Sequence, residues 1–185
     1  IFCLDRAGLG GEDVATHHGI FDLAYLRCIP NMIIYAPINE LELQHILYTA
    51  QLGLNHPIAI RYPRGRGIHV DWKTNYEKIE IGRAKCLKKG TEVAVLSNGT
   101  IGNNVIKALA NIKNPDAVAH YDFAFVKPLD EALLHDVFKS YPSVITVEDA
   151  SIVGGFGSAI AEFMVDNQYS NKLIRLGIPD SLIEH

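Results

Sequence analysis

Between Glu92 and Ile178 short apolar runs alternate with segments of helical period, and this alternation restricts the fold more than any other feature of the chain. Glu92 to Ser97, Ala117 to Asp122, Ser143 to Glu148 and Lys172 to Ile178 read as strands. Gly102 to Ile112, Asp130 to Tyr141 and Gly155 to Asn167 read as the helices between them. A helix between each pair of apolar runs predicts a mostly parallel sheet covered on both faces, the α/β class.

The first part of the chain repeats the logic on a smaller scale. Ile1 to Leu4 reads as a buried strand, Phe21 to Cys28 has apolar residues at helical spacing, and Met32 to Ala36 is a short strand-like run fenced by Pro30 and Pro37. Asn39 with Glu42 three residues on has the form of a capping box, so a helix is expected over 39–52, with Leu43, Ile46, Leu47 and Ala50 on one face and a stop at Gly53. Pro57 to Tyr62 is the next strand. Residues 66–82 show neither period, which divides the chain into a first unit, 1–65, a linker, 66–82, and a second unit, 83–185.

At 185 residues and 48% hydrophobic, the chain has ample apolar material for a packed core. The net charge of -4, with no basic run interleaved with aromatics, speaks against nucleic acid as a partner. No apolar stretch approaches the ~18 residues of a membrane span, and a cytosolic location is expected. Cys3, Cys28 and Cys86 are odd in number and have no metal-type spacing, so they are read as buried thiols.

Chemistry concentrates in two places. Asp5 to Gly19 is a Gly-rich loop carrying Asp13, His17 and His18, placed directly after the first strand, where open α/β sheets build their sites. Asp13 and His17 can converge through loop curvature, and an imidazole whose ordinary pKa lies near neutrality is a candidate proton donor; His18 is read as packing. Arg64, between Pro63 and Gly65 at a strand end, offers a guanidinium suited to bidentate contact with a phosphate. The pattern puts Arg61 inside the strand and leaves it open between an anion contact and a solvated charge. Gly154 to Gly157 lacks the full G-x-G-x-x-G order and is read as a tight strand-to-helix turn rather than a phosphate cradle; Glu148 and Asp149 before it are not assigned a catalytic role. His45, His56, His69, His120, His135 and His185 form no metal-ligand spacing and are read as surface or core residues.

Six stretches, taken in order, carry a resemblance. They are Asp5-Arg-Ala-Gly, Thr16-His-His-Gly, Phe21 to Pro30, Ile60-Arg-Tyr-Pro-Arg-Gly65, Phe125 to Ala132 and Val147 to Gly157. In them the chain is similar to the 1-deoxy-D-xylulose-5-phosphate synthase family of transketolase-like, thiamine-diphosphate-dependent transferases. The resemblance implies a C-terminal fragment: part of a pyrimidine-binding domain over 1–65 and a transketolase C-terminal-type α/β/α domain over 83–185.

For the parent enzyme the resemblance implies condensation of pyruvate with D-glyceraldehyde 3-phosphate to 1-deoxy-D-xylulose 5-phosphate and CO2, supplying isoprenoid, thiamine and pyridoxal synthesis. Asp13 and His17 would contact the acceptor aldehyde, and Arg64 its phosphate. Thiamine diphosphate and Mg²⁺ would serve a cytoplasmic homodimer. This chain shows neither the family's Gly-Asp-Gly to Asn motif for metal and diphosphate nor its coenzyme-activating glutamate, so the fragment alone is expected to bind no cofactor and to be inactive. Val14 departs from the family, which has glycine there. A β-branched residue is expected in ordinary β or α backbone, which would displace the loop and turn Asp13 from His17. Two other readings stay open: another transketolase-group enzyme, such as transketolase or the β-subunit of a 2-oxo-acid dehydrogenase, or a non-catalytic assembly module.

Overall fold

The computed structural model describes residues 1–10, 17–68, 71 and 73–183. Among them the strands form two sheets. The first sheet holds β1 (Phe2–Leu4), β2 (Ile33–Tyr35), β3 (Ile58–Arg61) and, from much later in the chain, β7 (Phe125–Lys127), in the order β1-β3-β2-β7. β1, β3 and β2 are parallel and β7 runs antiparallel to β2. The second sheet has the order β4-β6-β5-β8-β9, with β4 (Lys85–Lys88), β5 (Val93–Asn98), β6 (Val118–Asp122), β8 (Ser143–Ser151) and β9 (Lys172–Ile178). All its pairs are parallel except β4 with β6.

The alternation in the sequence accounts for this sheet. Parallel neighbours need a crossover, and α3 (Gly102–Leu109), α4 (Glu131–Ser140) and α5 (Phe156–Asp166) supply it. Each turns an apolar stripe inward: Val105 and Leu109, then Leu134, Val137 and Phe138, then Phe156, Ile160 and Phe163 are all buried. β5, lying between β6 and β8, is buried nearly throughout.

In the first half, α1 (Asp22–Arg27) and α2 (Glu40–Gln51) follow the predicted periods. Asn39 caps α2, its side chain accepting from the Glu42 amide at 2.9 Å. The reciprocal half of the capping box goes elsewhere, because the Glu42 carboxylate accepts from the Tyr35 hydroxyl at 3.0 Å and from Lys85 Nζ. Among the described residues 66–82 form no helix or strand and run as a strap across α2. The Glu77 amide donates to His45 Nδ1 at 3.1 Å, the Ile79 amide to Thr49 Oγ1 at 2.8 Å, and Tyr76 stacks on Tyr48. The strap therefore satisfies the two polar side chains that α2 buries.

Three expectations need correction. Phe2–Leu4 is a strand, but an exposed one at the sheet edge rather than a buried one. The cysteines are free as expected but exposed, because Cys3 and Cys86 lie on edge strands and Cys28 at the end of α1. β4 and β7 went unpredicted; β7 has three residues and pairs with a strand some ninety positions earlier. Its Lys127 Nζ also donates to the Arg27 and Ile29 carbonyls at 3.0 and 2.7 Å, so the second half closes the end of a first-half helix. Among the described residues no helix is long and apolar enough to cross a membrane.

Candidate active site

The carboxyl ends of β1 and β3 lie side by side, and the chain leaving each builds one side of a cavity of about 1040 Å³. Asp5, Gly8, Leu9, Tyr62, Arg64 and Arg66 line it from the first half. Asn103 and Lys107 on α3, Glu148 and Asp149 on β8, and Ile178 at the end of β9 line it from the second. The Asn103 side chain donates across the divide to the Ile38 carbonyl at 2.7 Å, tying the two walls. Cations and carboxylates thus share a concave surface between two packed units, the usual place for a small charged substrate.

Arg64 stands in this wall, exposed, where the strand-end reading put it. His17 is exposed and is not among the described residues lining the cavity. Asp13 and Val14 lie outside the described residues, as does the expected turning of Asp13 from His17. His18 is half-buried and its Nδ1 accepts from the Gly10 amide at 3.0 Å, in keeping with a packing role.

The loop that carries these residues is closed at its base. The Gly8 amide donates to the Gly19 carbonyl and the Gly19 amide to the Arg6 carbonyl, each at 2.9 Å. Gly19 has no room for a side chain, since a Cβ would fall 2.4 Å from the Arg6 carbonyl oxygen. Gly8 has φ of +79°, the left-handed region that glycine occupies without strain.

Arg61 resolves the alternative left open by the sequence in favour of neither reading. Its side chain is 1% exposed and donates from Nε to Asp22 Oδ2 at 2.7 Å, from Nη1 to Asp149 Oδ1 at 2.7 Å and from Nη2 to the Gly19 carbonyl at 2.8 Å. A charge this deep requires such partners. The sequence signal was there: an arginine inside an apolar strand run demands buried acids, although nothing local says which.

Gly154 to Gly157 is the tight strand-to-helix turn expected. Glu148 fills the helix end, accepting from the Phe156 amide at 2.7 Å and the Gly157 amide at 2.8 Å. A Cβ on Gly155 would lie 2.1 Å from Glu148 Oε2, so the turn approaches its own carboxylate and leaves no cradle for an added phosphate. Burial pushes Glu148 up to about 7, against the lowering effect of those two amides and of Arg61. Asp122 is likewise pushed up to about 7 by burial and then by Glu42, with Lys85 opposing. His120, buried against Ser97 Oγ at 2.8 Å, is held down at about 4 by desolvation. His135 meets the Tyr169 hydroxyl at 2.8 Å and His56 is exposed, while His69 and His185 lie outside the described residues. Among the described residues no group of three or more His, Cys, Asp or Glu is arranged to hold a metal ion.

Comparison with known proteins bears on both halves. The family model described as transketolase, pyrimidine binding domain, matches residues 1–67, and that described as transketolase, C-terminal domain, matches residues 82–185. The 1-deoxy-D-xylulose-5-phosphate synthase of Cytophaga hutchinsonii is 54% identical over 187 aligned residues, covering 100% of this chain and 29% of the relative. That of Parabacteroides distasonis is 53% identical over 186, again covering 100% of this chain and 29% of the relative. A solved split-gene transketolase, described as an inactive beta4 tetramer, superposes with a TM-score of 0.84 at 28% identity, covering 98% of this chain and 58% of its own.

Proposed function

The chain belongs to the transketolase family, and on that premise we propose that it is the C-terminal part of a 1-deoxy-D-xylulose-5-phosphate synthase. Since it spans 29% of the length of the synthases it resembles, the activity belongs to the whole parent. The parent joins the two carbons left after decarboxylation of pyruvate to D-glyceraldehyde 3-phosphate, releasing CO2 and serving isoprenoid, thiamine and pyridoxal synthesis in the cytoplasm as a homodimer. The observation that carries this reading is Arg64, standing in the cavity wall at the carboxyl end of β3 within a chain that matches those synthases along its whole length.

Each residue has a definite task in this reading. Arg64 binds the acceptor phosphate through charge-assisted hydrogen bonds. His17 donates a proton to the acceptor carbonyl oxygen as it becomes an alkoxide, and Asp13 accepts from an acceptor hydroxyl. Arg66 and Lys107, lining the same cavity from its two sides, add positive potential that favours a doubly charged substrate.

The coenzyme implied by the family is thiamine diphosphate with Mg²⁺. The described residues do not fit its diphosphate end. They contain no metal-holding cluster, and Glu148 occupies the helix end that would otherwise receive a phosphate. Binding of that group is therefore assigned to the rest of the parent, and the isolated chain is inactive, as the similar split-gene transketolase tetramer is described to be.

Calorimetric titration of the isolated chain with thiamine diphosphate and Mg²⁺, beside turnover assays of the parent with pyruvate and competing acceptors, tests the reading. No binding by the chain, and product from glyceraldehyde 3-phosphate by the parent, is the expected pair of results. Micromolar coenzyme binding with turnover by the chain alone, or a parent that prefers transketolase acceptors, would overturn it.

A further inference from the structure

We propose that Arg61 is a positioning residue that sets the base of the loop from Gly8 to Gly19, and through it the place of His17, without touching substrate; the link to His17 rests on the acceptor reading above. The side chain is buried beyond reach of the cavity, and its three bonds go to the segment where the loop ends and to the acid against which the loop begins.

At the loop's exit, the Gly19 carbonyl accepts from two donors, the Gly8 amide at 2.9 Å and Arg61 Nη2 at 2.8 Å. Three residues on, Asp22 begins α1 and takes Arg61 Nε. At the entrance, Asp149 takes Nη1, and its carboxylate packs on Gly8, where an added Cβ would lie 3.0 Å from Oδ2. One guanidinium therefore holds both ends of the loop, directly at Gly19 and through Asp149 at Gly8. His17 stands two residues before the held carbonyl.

The geometry needs arginine. Three acceptors lying in different directions are met by Nε, Nη1 and Nη2 of one planar group, which a single ammonium cannot reach together. Two carboxylates surround one cation, and the excess negative charge is tolerable because Asp149 is 17% exposed at the cavity rim while Asp22 is 8%. The clamp thus sits on the junction of the loop, α1 and β8 rather than in the apolar core.

The test uses Arg61→Lys in the full-length parent, with Asp149→Asn as a second variant of nearly unchanged shape should the first not fold. Amide exchange should rise by about tenfold or more at Gly8 and Gly19, as expected for loss of charge-assisted hydrogen bonds, with β5 and β6 unaffected. The KM for glyceraldehyde 3-phosphate should rise by about tenfold while that for pyruvate stays within about twofold, and combining Arg61→Lys with His17→Ala should cost less than the sum of the two. Unchanged exchange at Gly8 and Gly19 in a folded variant, or equal loosening of β5 and β6, would overturn the clamp. An unaltered acceptor KM in His17→Ala alone would instead overturn the acceptor reading, and the exchange result would still decide the role of Arg61.

Discussion

Gly157 donates its backbone N–H to Glu148 Oε1 across 2.8 Å, so a carboxylate from the preceding strand closes the start of α5 from inside the protein. The Phe156 amide does the same for Oε2 at 2.7 Å. Two of the donors that a helix leaves unpaired at its start are thereby satisfied without an external anion.

The tightness of that turn is measurable. In Gly155→Ala the new methyl would meet Glu148 Oε2 at 2.1 Å and the Ser151 carbonyl at 2.4 Å. Neither atom is the loose end of an exposed side chain, so the variant should lose on the order of 1–3 kcal/mol, read as a lower midpoint in urea.

Asp122 should make stability fall as pH rises. Its carboxyl is raised in the fold to about 7, so the folded chain holds that proton more firmly than the unfolded chain does. The contribution is complete below the ordinary carboxylate range and is lost as pH climbs through about 7. Asp122→Asn should flatten the fall in denaturation midpoint between about pH 4 and 7 and raise stability at the upper end by on the order of 2–4 kcal/mol. Glu148, raised for the same reason, keeps part of the slope in the variant.

Loss of the α2 cap should be local and modest. Asn39→Ala removes the acceptor of the Glu42 amide and should cost ~1 kcal/mol in chemical denaturation. Asn39→Asp, which keeps an acceptor at the same place, should restore most of it.

Arg64 is the direct check on phosphate recognition. In the parent, Arg64→Ala should remove on the order of 1.5–3 kcal/mol of acceptor binding, seen as a higher KM for glyceraldehyde 3-phosphate with pyruvate little changed. Equal damage to both substrates would assign Arg64 to structure instead.

Much of this protein was legible without coordinates because its signals are local. Apolar periodicity marked α3, α4 and α5 and the strands β5, β6, β8 and β9, Asn39 and Glu42 marked the start of α2, and the incomplete glycine pattern marked 154–157 as a turn. The ordered motifs from Asp5 to Gly157 pointed to the family that both matched models support. Placing Arg64 at a strand end needed only its neighbours, Pro63 and Gly65.

The tertiary structure alone decided which distant residues meet. Arg61 finds Asp22 across 39 positions and Asp149 across 88, and β7 joins a sheet begun by the first half of the chain. Edge position, not composition, exposes β1 and the cysteines on β1 and β4. Periodicity reports the face that a segment buries, because residues a turn or a pleat apart share that face. It cannot report what the face is buried against, since that choice depends on the packing and charge pairing of the whole chain at once.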